Sequence, residues 1–79
     1  MSVRYDPEAD AAYISIGREL LPGEAAAQVA GIRDPRGEGE IILDFDAKGH
    51  LLGIEVLRAS RILRAQDLDR STRTETTEP

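Results

Sequence analysis

Residues 44–55 read Asp-Phe-Asp-Ala-Lys-Gly-His-Leu-Leu-Gly-Ile-Glu. Two apolar runs of period two flank a short acidic turn closed by Gly49, which is the sequence form of a β-hairpin. On one side Ile41, Leu43 and Phe45 share a face; on the other Leu52, Ile54 and Val56 share one. Side chains alternate across a strand, so loop length decides whether those two faces meet. A three-residue loop, 47–49, places Leu43 opposite Gly53 and Ile41 opposite Glu55. A four-residue loop, 46–49, places Phe45 opposite His50, Leu43 opposite Leu52 and Ile41 opposite Ile54, and burial favours it. Gly49 then takes the last loop position, where a left-handed backbone is wanted and glycine tolerates it.

The remaining segments follow the same grammar. Val3-Arg4-Tyr5 is cut by Asp6-Pro7, a type I turn start, and Ala11 to Ile16 alternates again, giving a first hairpin. In the second run Ala12, Ile14 and Ile16 share one face, Tyr13 and Ser15 the other. Gly17 to Gly23 is a loop. The alanines of 25–33 favour helix, whereas Val29-Ala30-Gly31-Ile32 between glycine and Asp-Pro favours a strand; the segment is short for a helix, so a strand is expected. Residues 34–39 are a turn or loop. Ser60 is placed to cap a short helix whose Ile62, Leu63, Ala65 and Leu68 form one apolar side. The fold class expected is α+β: a small antiparallel sheet of four to five strands in a meander of hairpins, with one short C-terminal helix. Residues 1–68 form the domain, and 69–79, apolar-free after Asp69, an unstructured polar tail.

At 79 residues the chain has room for one core, with only Tyr5, Tyr13 and Phe45 as aromatics. It has no cysteine, so neither disulfides nor thiolate metal sites are available to reinforce a small fold. Tight β packing and self-association remain, and a homo-oligomer is expected. No apolar run approaches the roughly 20 residues that span a bilayer, and the start lacks a signal-peptide pattern; a cytoplasmic location without membrane association is expected. Residues 1–57 carry 11 acidic and 5 basic side chains. Such a body disfavours nucleic acid. Arg58, Arg61, Arg64, Arg70 and Arg73 form the only basic concentration, diluted by Asp67, Asp69, Glu75 and Glu78 and lacking aromatics for base stacking.

Two separated motifs now carry a likeness. Tyr5-Asp6-Pro7-Glu8-Ala9-Asp10-Ala11-Ala12-Tyr13-Ile14, followed by Ile42-Leu43-Asp44-Phe45-Asp46 and Gly49 to Leu57 with Ala59-Ser60, resembles the bacterial family known as domain of unknown function 2283. The likeness runs from residue 3 to about 62. It departs from the family pattern at 33–39, which look long, and at Lys48, where an acidic residue is common. The resemblance implies a small antiparallel sheet with a short C-terminal helix and no assigned activity or catalytic residue. It also brings the expectation of an antitoxin-like component, since some members are suspected of pairing with small toxin-like proteins.

The chemistry is sparse. Asp44, Asp46, Gly49 and Glu55 sit at positions 1, 3, 6 and 12 of a calcium-loop pattern, but Lys48 stands where an oxygen ligand belongs and strands replace the flanking helices. A small ion-binding or hydrolytic domain using the acidic turns Asp6–Asp10 and Asp44–Asp46 is the alternative reading; solvated turn carboxylates are the simpler one. His50, following a turn, reads as a surface residue. No catalytic, metal or cofactor-binding residue is assigned and no cofactor is implied. If a helix covers one sheet face, Tyr13, Ile42 and Leu51 are left on the other, where either a protein partner or a thin second cluster covered by the 17–39 region is expected; the partner reading is the functional one. Arg58, Arg61 and Arg64 are expected to fold over the partner.

Overall fold

The computed structural model describes residues 1–73. Its strands are β1 (Ser2–Asp6), β2 (Ala11–Ser15), β3 (Ala27–Arg33), β4 (Glu40–Phe45) and β5 (Leu51–Leu57), followed by helices α1 (Ala59–Ile62) and α2 (Ala65–Asp69) and the two-residue β6 (Thr72–Arg73). The strands form one sheet in the order β3-β4-β5-β2-β1-β6, antiparallel throughout except for the parallel β1–β6 pair. The α+β class with a small antiparallel sheet is therefore as expected, and residues 25–33 do supply a strand. A β1–β2 hairpin and a β3–β4–β5 meander are joined side by side through β2 and β5. Of the expected tail, residues 69–73 hold the end of α2 and β6, and 74–79 lie outside the described residues.

Two local expectations need correction. The hairpin register is shifted by one residue next to the loop, where Phe45 faces Leu51, and by two beyond it, where Leu43 faces Ile54 and Ile41 faces Val56. The Asp46 amide donates to the His50 carbonyl, while the Asp46 carboxylate accepts the Lys48 and His50 amides, so the loop closes over 47–49. Gly49, at φ 88°, makes the left-handed exit. That loop alone would set Leu43 against Gly53. A bulge adds Leu52 to β5 and restores the apolar match, in keeping with burial choosing the register. Glu55 in consequence faces Ile42, and Glu40 faces Leu57.

The C-terminal helix is also broken in two, because Leu63 is extended (φ −91°, ψ 149°). Ser60 does not cap it. The N-cap position falls on Arg58 in the left-handed conformation, with no side-chain capping bond.

The core sits on one face of the sheet. Tyr5, Ala12 and Val56 are cross-strand neighbours buried beneath Ala59 and Leu68, with Ile14, Ile54, Ile62 and Leu63 packed around them. The molecule measures 36 × 34 × 18 Å, thin in the direction of that single covering layer.

Candidate functional site

Three arrangements on this sheet are candidates for function. The first ties the β1–β2 turn to α1. Asp10, left-handed at φ 52°, accepts the Tyr5 hydroxyl at 2.8 Å, the Ser60 amide at 2.9 Å and the Ser60 hydroxyl at 2.7 Å. Its carbonyl accepts the Ala59 amide. Burial raises the Asp10 pKa, but the bonds from Ser60 and Tyr5 and the charge of Arg61 together outweigh it, holding the carboxyl below the usual range. Tyr5 and Ser60 thus donate to one carboxylate, which clasps α1 to the β1–β2 turn. Asp6 and Asp46 are likewise used by backbone: Asp6 accepts the amides of Glu8 and Ala9, and Asp46 holds the hairpin loop with His50 Nδ1 3.2 Å away.

The second lies on the face away from the helices. Asp44, 6% exposed, accepts the Tyr13 hydroxyl and the Gln28 side-chain amide, each at 2.8 Å. Burial first, then the Asp44 acceptor and the negative charges of Asp44 and Glu55, push the Tyr13 phenol well above the ordinary tyrosine range. The ring of Tyr13 lies across Gly53, with Cζ and Cε2 only 2.6 and 2.7 Å from where a Cβ would stand. Hence Asp44 and Asp46 are bound to different partners, and no group of three or more His, Asp or Glu among the described residues is placed to hold a metal ion.

Of the residues expected to make contacts, Tyr13 and Ile42 share this second face, flanking Glu55 on β5. Polar Asp44, Gln28 and Glu55 surround them. Leu51 sits apart at the hairpin end, where it lines a shallow depression with Ile16, Leu20 and Leu52. Arg58 and Arg61 line a larger cavity at the opposite end of the sheet, and Arg64 is paired with Asp67 at 3.0 Å.

The third arrangement was not anticipated from the sequence. On the helix side, cross-strand pairing lines up Val3, Ile14, Ile54, Leu43 and Val29 in one row, and Tyr5, Ala12, Val56, Ile41 and Ile32 in the next. In the first row Val3, Ile14, Ile54 and Leu43 are all half-buried and cover ends at Val29; in the second it thins from β5 to β4. Tyr5, Ala12 and Val56 are buried, Ile41, Ile32 and Leu43 only half-buried, and Val29 is 48% exposed. The helices, four and five residues long, cover the β1–β2–β5 half and leave the β3–β4 half open.

The motif residues Tyr5, Asp10, Ala59 and Ser60 thus meet in one clasp, and Tyr13, Asp44 and Gly53 in another. A family model described as "Protein of unknown function (DUF2283)" matches residues 2–60, three quarters of the chain. The chain belongs to the DUF2283 family. No curated protein and no solved structure matches it. The DUF2283 match ends at Ser60, the residue that closes the Asp10 clasp, and leaves α2 and β6 outside. No helix among the described residues is long and apolar enough to cross a membrane.

Proposed function

We propose that this DUF2283 chain is a non-enzymatic protein-interaction module that self-associates through the open half of its helix-side face. The observation that carries this reading is the loss of cover toward β3, from buried Val56 to half-buried Ile41 and Ile32 in one row and from half-buried Leu43 to Val29, 48% exposed, in the other. Leaving Leu43, Ile41, Ile32 and Val29 against water forfeits about 25 cal/mol for each Å² of apolar surface, which a second copy recovers. Half of a 36 × 34 Å face is about 600 Å² per copy, so a face-to-face pair buries about 1,200 Å², the lower bound of stable interfaces. A two-fold pair places the same rows on both sides, as isologous contacts require. The acidic turns favour this over an ion-binding or hydrolytic role, because the carboxylates of Asp6, Asp10 and Asp46 are engaged in holding backbone. In the antitoxin-like role that the family resemblance implies, a small toxin-like protein would take the place of the second copy or add to it.

Sedimentation equilibrium from low micromolar to millimolar concentration tests the proposal. A reversible dimer is expected, and Val29→Lys should weaken it about tenfold or more with little effect on the monomer, since one desolvated charge at an apolar contact exceeds 1.4 kcal/mol. A monomer throughout that range, or a dimer indifferent to Val29→Lys, defeats it.

A further inference from the structure

Arginine is distributed unevenly with respect to its partners. Arg4 pairs with Glu19, Arg18 with Glu24, Arg36 with Glu38 and Arg64 with Asp67. Arg33, Arg58, Arg61 and, elsewhere on the surface, Arg70 form no salt bridge within 4 Å among the described residues, although the Arg61 charge reaches Asp10. In this chain acidic groups outnumber basic ones by 15 to 10. Arg33, Arg58 and Arg61 line one open cavity of about 600 Å³, where the start of β4 meets the end of β5. The cavity also holds Glu38 and Glu40, but each has another engagement: Glu38 is the partner of Arg36, and Glu40 accepts the Gly31 amide at 2.8 Å. Gly39 forms its floor, so close to the Leu57 carbonyl and to Ile62 Cδ1 that no side chain fits there. Arg58 enters at φ 58°, a left-handed backbone uncommon for a residue with a Cβ, and the Ala59 amide donates to the Asp10 carbonyl immediately after it.

We infer that this cavity is an oxyanion site, in which the guanidinium groups of Arg33, Arg58 and Arg61 converge on a phosphate or carboxylate group. Guanidinium presents a planar fork of donors matched to either group, and the three of them, set against Glu38 and Glu40 in the same lining, leave a net positive charge there on an otherwise acidic molecule. The volume falls in the range of small-ligand sites, and its single apolar wall, Leu57, gives a base or acyl chain little to rest on. The ligand is held by charge and forked hydrogen bonds. This site is at the end of the sheet, separate from the open apolar face, and stands or falls independently of self-association.

The test is heteronuclear NMR on the full chain, titrated with sodium phosphate in one arm and a tetraglutamate peptide in the other, at ionic strength fixed with chloride. Saturable shifts of the Gly37, Gly39, Arg58 and Arg61 amides are expected. Saturation by phosphate alone assigns a phosphate ligand, and saturation by the peptide alone a carboxylate one. Arg58→Gly removes a guanidinium while relieving the left-handed backbone, so it should fold at least as well as the parent and bind about tenfold more weakly, the loss expected for one charge-assisted contact. Arg61→Gln should behave alike, and Arg70→Gln, outside the cavity, should bind as the parent does. Linear, non-saturating shifts in both arms overturn the inference, as does unchanged affinity in Arg58→Gly and Arg61→Gln.

Discussion

Gly53→Ala is expected to lower stability by about 3 kcal/mol, seen as a fall in melting temperature of about 12–24 °C for a domain of this size. The cost has two parts. A Cβ on residue 53 would stand 2.6 and 2.7 Å from Cζ and Cε2 of Tyr13 and closer still to its hydroxyl, so the ring must leave the sheet. When it goes, the 2.8 Å bond to Asp44 goes with it, and a carboxylate that is 6% exposed keeps Gln28 alone. Withdrawing a donor from a buried charged acceptor costs about 1.5–3 kcal/mol, comparable to the overpacking itself. A double-mutant cycle separates this account from a general intolerance of β5 to substitution. If the penalty is the Tyr13 contact, Gly53→Ala made in a Tyr13→Ala background should cost less than about 1 kcal/mol, because the ring it collides with is absent. Full additivity of the two substitutions in urea denaturation would show that the contact is not the cause.

Gly53 also marks how far the sequence could be read. A glycine inside a period-two strand announces a bulge or a close approach, and here it has both, with the extra residue Leu52 next to it and Tyr13 above it. What the pattern could not say was how large the register shift would be. Loop closure depends on Asp46 taking the Lys48 and His50 amides, a short three-residue loop that the bulge then corrects. The strands themselves were legible because period-two alternation and turn residues are local signals, as at Asp34, whose carboxylate gathers the amides of Arg36, Glu38 and Gly39. Ser60 shows the complementary limit. It looks like a helix cap when only its neighbours are considered, and its true partner, Asp10, lies 50 residues away. The same distance effect hid the open face. Whether Leu43 or Val29 is covered depends on how far α1 and α2 reach across the sheet, and Leu63 breaks that reach after a single turn. Likewise Arg58 and Arg61 stand out as a basic run, but Arg33 joins them only once β3 and β4 bring it to the end of β5.

Asp10→Ala is expected to cost about 3 kcal/mol, measured by urea denaturation at neutral pH and fixed protein concentration. It removes the acceptor of the Tyr5 hydroxyl, the Ser60 amide and the Ser60 hydroxyl, and it leaves an alanine at φ 52°, which a Cβ resists. Asp10→Gly removes the same bonds without the backbone strain and should recover about 1 kcal/mol of that loss. Asp10→Asn tolerates the left-handed backbone and keeps one acceptor, so it should fall between the parent and Asp10→Ala. The charge then gives a separate signature in pH. Despite burial, the bonds from Ser60 and Tyr5 and the pull of Arg61 hold the folded carboxyl below its ordinary value of 3.8. The unfolded chain therefore takes up the proton at higher pH than the folded one. Asp10 contributes its full stabilisation above the ordinary carboxylate range and loses it as pH falls through that range toward the lower folded value. Glu24, Asp34 and Asp46 are also held low, by Arg18 and by backbone amides, so the parent and Asp10→Asn share their acid sensitivity. The stability gap between the two proteins should accordingly be constant from pH 7 to about 5 and narrow below about 4. A gap that stays the same down to pH 3 would mean that Asp10 holds α1 to the β1–β2 turn through shape and hydrogen bonds alone, with its charge contributing nothing.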